Sequence, residues 1–283
     1  MIELSRTVRF CLNDGQLPGE AGVPPSASAT DGRHNTFASW PAMRGLGRFY
    51  QLTVDCRGQV HPVEGWFINI RHIDNAARDH IVPFLQRTLA LTTDASAAPM
   101  GRLMVRILEL LEPALKGAAE QIALELTPFY HLVIRRADMS QVIVKHEYEF
   151  SAAHRLHVST LSDEENVRVF GKCNHPAGHG HNYRVQVAVR SPIDPRGHIL
   201  PVSALDKIVD EHTIAKLDHK HLNCDIPEFA NRNPSVENIA KVIYDWLADP
   251  VESLDAQLDA ITVWETQKTH CTYRNETREP AAT

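Results

Sequence analysis

The side chains able to do chemistry in this chain are densest in GKCNHPAGHGHNYRVQVAV, from Gly171 to Val189. His179 and His181 stand two residues apart, just before an apolar alternation. Side chains so spaced on a strand share a face, so both imidazoles can converge on one ion, with Gly180 leaving room between them. A histidine pair alone is a weak sign of a metal, and a third ligand is required. His154 in FSAAHRL supplies it if the strand ending near Phe150 pairs with the strand from Tyr183 to Arg190. Three neutral imidazoles leave the charge of Zn2+ uncompensated and a fourth position open, as in a catalytic rather than a structural site. Such an ion would hold a substrate oxygen. Of the sixteen histidines, His157, His175 and His198 lie nearby and read as loop residues.

Cys173 precedes His179 in a Gly- and Pro-rich passage. It reads equally as a zinc ligand, as a thiolate base held near the ion, or as an inert loop cysteine. Asp218 and His219, in LDHKHLN, adjoin at the end of an expected helix. That pair is either a proton relay or a surface charge pair at a helix terminus. Glu237, in NPSVENIA, has the position of a carboxylate stabilised by a helix N-terminus after Ser235. Glu265 interrupts an apolar strand in VWETQ, where a buried acid needs a partner such as the guanidine-like edge of a heterocycle.

The elements that must position these groups are legible as period. VIVKHEYEFSAAHRL and YRVQVAVR read as strands, SALDKIVDEHTIAKLD and SVENIAKVIYDWLAD as amphipathic helices, and ITVWETQKTHCTYR as closing strands. The first half repeats this order in LSRTVRFCL, GRFYQLTVDC, HIDNAARDHIVPFLQRT, MGRLMVRILELLEPALKG and IALELTPFYHLVIRR. GLGRFYQLTV lies over GHGHNYRVQV, and GWFINIRHID over GHILPVSALD, which points to an internal duplication. The polar passage RRADMSQ separates the halves, giving expected domains 1–138 and 139–283. Leu17 to Asn35 is expected to be a long loop.

Composition narrows the function classes. A net charge of -6 and a pI near 6.2 give no basic stripe for nucleic acid. Five scattered cysteines without a CxxC pair argue against a disulfide framework or a cysteine-rich zinc site. MIELSRTVRFCLNDG has no basic stretch leading into an apolar one, and no long apolar run follows, so a cytoplasmic protein with no membrane partner is expected.

Taken in order, FSAAHRL, LSDEENVRVFGKCNHPAGHGHNY, LDHKHLN, the Ser-Val-Glu-Asn helix start and VWET resemble the 6-pyruvoyltetrahydropterin synthase family, which includes the 6-carboxytetrahydropterin synthases of queuosine biosynthesis. The resemblance implies an α+β T-fold, an antiparallel four-stranded sheet with two helices on one face, here in two tandem copies. Sheets of that fold join across subunits into a barrel, which implies a homo-oligomer, trimer or hexamer. It further implies Zn2+ on His154, His179 and His181, with Cys173 as base and Asp218 with His219 as relay. Glu265 would anchor the pterin's amino-pyrimidine edge, assisted by Glu237. The Cys173 to His179 spacing resembles the pyruvoyl-forming branch, which implies a carbon-oxygen lyase acting on 7,8-dihydroneopterin triphosphate. Carboxytetrahydropterin formation, side-chain cleavage and non-catalytic pterin binding are the alternatives.

The first half lacks this chemistry. Asp14 falls at the position of His154, Leu46 and Arg48 at those of His179 and His181, Gln86 and Arg87 at those of Asp218 and His219, and Leu126 at that of Glu265. Gly45, Gly47 and Asp74 remain. A degenerate copy that fills interface positions in the oligomer is expected.

Overall fold

The computed structural model describes residues 1–13, 39–43, 45–92 and 98–275. Asp14 and the expected loop from Leu17 to Asn35 lie outside the described residues. The chain divides into two compact units, Met1–Val142 with Pro192–Ile199, and Ile143–Ser191 with Leu200–Thr283.

In the first unit, β1 (Ile2–Leu12), β2 (Arg48–Gly58), β3 (Ala119–Thr127) and β4 (Tyr130–Arg135) pair antiparallel in that order. α1 (Ile70–Ala76), a π-helical turn (Ala77–Ile81), α2 (Val82–Leu91) and α3 (Met100–Leu115) connect β2 to β3. Alternation buries Val8, Phe10 and Leu12 on β1 and Leu52, Val54 and Cys56 on β2. α3 buries Met104, Ile107, Leu108 and Leu111, the helical spacing that makes one apolar stripe.

The second unit orders its strands β5 (Asp138–His154), β6 (His179–Pro192), β8 (Gln257–Thr266) and β9 (Thr269–Tyr273), and the two-residue β7 (Lys220–His221) runs parallel to β5. α4 (Asp163–Phe170) and a 3-10 turn (Gly171–Asn174) lie between β5 and β6. After β6 come α5 (Val202–Val209), a π-helical turn (Asp210–Ile214), α6 (Ala215–Leu217), α7 (Leu222–Asp225) and α8 (Val236–Glu252). Val185, Val187, Leu205, Val209, Ile239, Ile243, Leu247, Ile261 and Val263 form its core.

RRADMSQ holds the end of β4, a turn, and the start of β5, where Asp138 accepts hydrogen bonds from the Ser140 backbone (3.0 Å) and hydroxyl (2.6 Å). Cys173 lies in a short turn that follows a helix. The preceding SDEENVRVF is helix α4, started by a capping box between Ser162 and Glu165 and an acidic first turn, and Cys173 follows in the 3-10 turn.

The two units share local irregularities as well as element order. Each interrupts its first helix with a five-residue π turn. The β2–β3 register shifts between Asp55 and Cys56, and the β6–β8 register between Ala188 and Val189. A second shift falls at Glu125/Thr127 and at Trp264/Thr266, each next to a hairpin turn in which the threonine hydroxyl accepts a backbone N–H. Phe10 meets Tyr50 with ring centroids 6.0 Å apart, and Phe150 meets Tyr183 at 5.0 Å. A first-strand residue reaches a first-helix aspartate in each: Arg6 donates twice to Asp74 (2.8 and 2.7 Å), and His146 lies 3.5 Å from Asp206.

Candidate metal and substrate site

β5 ends at His154 and β6 begins at His179, and the two strands are hydrogen-bonded neighbours. The alternation of β6 puts His179, His181 and Tyr183 on one face. His154 is wholly buried, and His179 and His181 are half-buried. One nitrogen from each imidazole lies within 4.8 Å of the other two. His154 Nε2 is 3.1 Å from His179 Nε2, and the ring centroids are 4.5, 4.9 and 5.2 Å apart.

Secondary contacts set the tautomer of His154. Its Nδ1 donates to the Pro234 carbonyl at 2.7 Å, which turns Nε2 toward the other two rings. Pro234 lies just before α8, so the NPSVEN helix start contributes through its backbone. Burial lowers the pKa of His154, opposed by the Pro234 hydrogen bond, and burial also lowers that of His179, followed by the charge of His181. Both effects favour the neutral imidazole that a metal needs. The buried His181 Nε2 has no hydrogen-bond partner among the described residues. Three convergent imidazole nitrogens, one of them without a hydrogen-bond partner, fit a divalent ion such as zinc.

Gly178 is the glycine this geometry requires. Its φ is +72°, and a Cβ there would lie 2.8 Å from His221 Nε2 and 2.9 Å from the His154 carbonyl. The expectation that Gly180 leaves room needs correction, because a Cβ on Gly180 would meet only the Ala152 carbonyl, at 3.5 Å.

The remaining candidates are distributed around this cluster. Glu265 Oε1 lies 3.3 Å from His154 Nε2 and 3.5 Å from His181 Nε2, so the carboxylate faces the same nitrogens that converge. Asp218 accepts from the Ser151 backbone N–H at 2.8 Å and lies 2.8 Å from His219 Nδ1. The Ser151 hydrogen bond, then His219, hold the Asp218 carboxyl below its ordinary range. His219 takes a left-handed conformation (φ +57°), with 82% of its side chain exposed. It shares an open cleft of about 700 Å3 with Ser151, Gly180, His181, Asn182 and His221.

Cys173 and Glu237 are not on the lining of that cleft among the described residues. The Cys173 thiol is half-buried, and its backbone carbonyl accepts from Leu156 N at 2.8 Å. Glu237 is exposed in the first turn of α8, where its charge acts on Cys271. His157 is half-buried and lies 3.0 Å from Asn174 Oδ1.

Sequence reasoning missed the asparagines that hold these pieces together. Buried Asn174 ties the Cys173 turn to the chain after His154, accepting from Arg155 Nε at 3.1 and 3.2 Å. Asn166 is wholly buried and binds Val158, Leu161 and Ser162. Asn223 brackets Arg155, donating to its carbonyl (2.9 Å) and accepting its N–H (2.8 Å). The wholly buried Tyr183 lies beneath the histidines, its ring centroid 5.5 Å from His181 and 6.0 Å from His154. Burial, then Glu265 and Cys173, push its phenol far above the ordinary range, so it stays protonated.

Fold and site together define a class: an α+β protein whose antiparallel sheet carries a three-histidine site able to hold a metal ion. Residues 143–276 match the family described as 6-pyruvoyl tetrahydropterin synthase. The 6-pyruvoyl tetrahydrobiopterin synthase of Poecilia reticulata is 47% identical over 129 residues, 45% of this chain and 86% of that protein. The Homo sapiens protein of the same name is 42% identical over 137 residues, 48% of this chain and 93% of that protein. A solved structure of Caenorhabditis elegans 6-pyruvoyl tetrahydropterin synthase is 35% identical, with a TM-score of 0.45, covering 48% of this chain and 96% of that one. The chain belongs to the 6-pyruvoyl tetrahydropterin synthase family.

No helix among the described residues is long and apolar enough to cross a membrane.

Proposed function

We propose that this protein is a zinc-dependent carbon-oxygen lyase that converts 7,8-dihydroneopterin triphosphate to 6-pyruvoyltetrahydropterin with elimination of triphosphate. The observation that carries the reading is the convergence of His154, His179 and His181 in a chain of this family. When bound there, zinc supplies Lewis-acid polarisation of the substrate's side-chain oxygens.

The chain's own residues then divide the work. Cys173 removes a proton from a side-chain carbon, and the Asp218–His219 pair relays protons, with Asp218 holding the imidazole through Nδ1. Glu265 accepts the N–H groups of the amino-pyrimidine edge. Glu237 is assigned an assisting role at the helix start. The high exposure of His219 suits a group that meets its partners across a subunit interface.

The first unit is proposed as a degenerate T-fold copy. The shared π turns, register shifts and aromatic pair support this, because such irregularities have no reason to recur at matching positions in unrelated folds. At the site positions it has exposed Leu46 (96%), with Gln86 inside α2, which runs on to Leu91 where the second unit's helix stops at Leu217. With two units and one histidine cluster among the described residues of each chain, a homo-oligomer of three chains would carry six units and three metal sites.

Incubation of the zinc-loaded protein with dihydroneopterin triphosphate, followed by mass spectrometry, tests the reaction. A retained three-carbon side chain with triphosphate released is expected. Acetaldehyde release or a carboxy product would assign the site to another branch, and no turnover would leave only binding.

A further inference from the structure

The open cleft of the second unit is lined by small and polar residues and by no acid. His181 belongs both to the histidine cluster and to the cleft lining, so the two adjoin. His219, Lys220 and His221 enter from the β7 segment, and Ser151 and Asn182 from β5 and β6. Lys220 is exposed, and no carboxylate among the described residues lies within ion-pair distance of it. Asp218 and Asp225, the acids of this segment, are taken up by the backbone N–H groups of Ser151 (2.8 Å) and His221 (2.7 Å). The Ser151 hydroxyl donates to Asn182 Oδ1 at 2.8 Å, which leaves both Nδ2 protons of Asn182 unspent among the described residues. The buried Nδ1 of His221 has no partner there either. Buried polar atoms are nearly always paired, and an uncompensated ammonium beside unspent N–H donors suits an anion.

Strand order gives that anion its place. The order β8, β6, β5, β7 carries Glu265, then His179 and His181, then His154, then Lys220. The histidines therefore lie between the acid and the ammonium, on strands that are three spacings apart, about 14 Å. A substrate whose ring is held at Glu265 and whose side-chain oxygens meet the metal extends its far end toward Lys220. In 7,8-dihydroneopterin triphosphate that far end is the triphosphate. The chain as a whole carries a net charge of -6, so such an anion must be met by local cations.

The first unit lacks these donors. Counted by the same duplication, Cys11, Phe49 and Thr88 hold the positions of Ser151, Asn182 and Lys220. α2 runs on through Thr88, whose hydroxyl donates to the Phe84 carbonyl at 2.9 Å, whereas in the second unit the helix stops at Leu217 and the chain turns into β7. The early helix stop makes a wall of the cleft, and the ammonium comes with it. We propose that this cleft is a polyphosphate site, in which Lys220 and the Asn182 amide hold the triphosphate of the substrate and, after elimination, the free triphosphate. This rests on the pterin reading for the identity of the ligand, though not for the anion site itself.

The test uses full-length, zinc-loaded wild type and Lys220→Gln, with the zinc content of each checked by elemental analysis. Neopterin and neopterin triphosphate, both fluorescent, differ only in the triphosphate. The variant is expected to bind neopterin triphosphate about tenfold more weakly, the loss of one charge-assisted contact, and to bind neopterin as wild type does. Lys220→Arg is expected to restore most of the difference. Lys207→Gln, which removes an exposed charge from α5, is expected to change neither affinity. Equal weakening for both ligands, or none for the triphosphate form, would overturn the proposal. Calorimetry with inorganic triphosphate separates the anion site from the pterin reading. Binding about tenfold weaker to Lys220→Gln than to wild type supports the site, and a failure of neopterin to bind would then sink the pterin reading alone. Inorganic triphosphate that binds both proteins equally, or neither, would overturn the site.

Discussion

Replacing Asn166 tests whether a single buried amide holds the approach to Cys173. Its Oδ1 accepts from Val158 N at 2.8 Å, while Nδ2 donates to the carbonyls of Val158, Leu161 and Ser162 at 3.0, 3.2 and 3.0 Å. Two N–H donors shared among three carbonyls and one accepted bond, at about 1 kcal/mol each, set an upper bound near 3 kcal/mol for Asn166→Ala. Val158 and Leu161 are half-buried and Ser162 is exposed, so water can re-pair some of these groups, leaving about 2 kcal/mol. That corresponds to roughly 4–8 °C in Tm. Asn166→Asp is the sharper variant. It keeps the oxygen that meets Val158 N but turns the second atom into an acceptor facing three carbonyls, so it is expected to be worse than alanine. Urea denaturation of both variants gives the order, and a stability for Asn166→Asp equal to or above that of Asn166→Ala would refute the reasoning.

Other predictions follow from the same geometry. Gly178→Ala is expected to cost at least about 1–2 kcal/mol from its left-handed backbone alone and to weaken zinc binding through the clash with His221 and the His154 carbonyl, whereas Gly180→Ala stays near wild type in both titrations. Asp218 has a folded pKa below its unfolded value, so its stabilising effect is complete above the unfolded value, about 3.9, and is lost as pH falls through the folded one. The Tm gap between wild type and Asp218→Asn is therefore expected to shrink below about pH 4, and a gap independent of pH would contradict that. Cys173→Ala is expected to abolish turnover while retaining zinc, measured by product formation and metal content on one preparation.

The histidine cluster was legible because its logic is local: alternation places His179 and His181 on one face of β6, and strand pairing brings in the end of β5. The acid at Glu265 was legible as an anomaly in an apolar strand, though its position against the histidines was not. What sequence could not carry was register and burial. Tyr183 reads as an ordinary strand aromatic until β8 is set beside β6, and Asn166 and Asn174 look like surface residues until their loop closes. Helix α4 was missed because an acidic, polar SDEEN reads as loop, although Ser162 and Glu165 spelled a capping box. The matching π turns left no mark in hydrophobic period, since one inserted residue per helix only rotates the stripe.

The central claim is that one unit of this chain carries a metal site and its structural counterpart has lost it. Zinc content of the purified full-length protein tests it directly, by elemental analysis against protein concentration. The account predicts about one zinc per chain, removed by His179→Ala and untouched by Arg48→Ala, which alters the first unit's counterpart of His181. About two zincs per chain, or one that survives loss of His179, would contradict it.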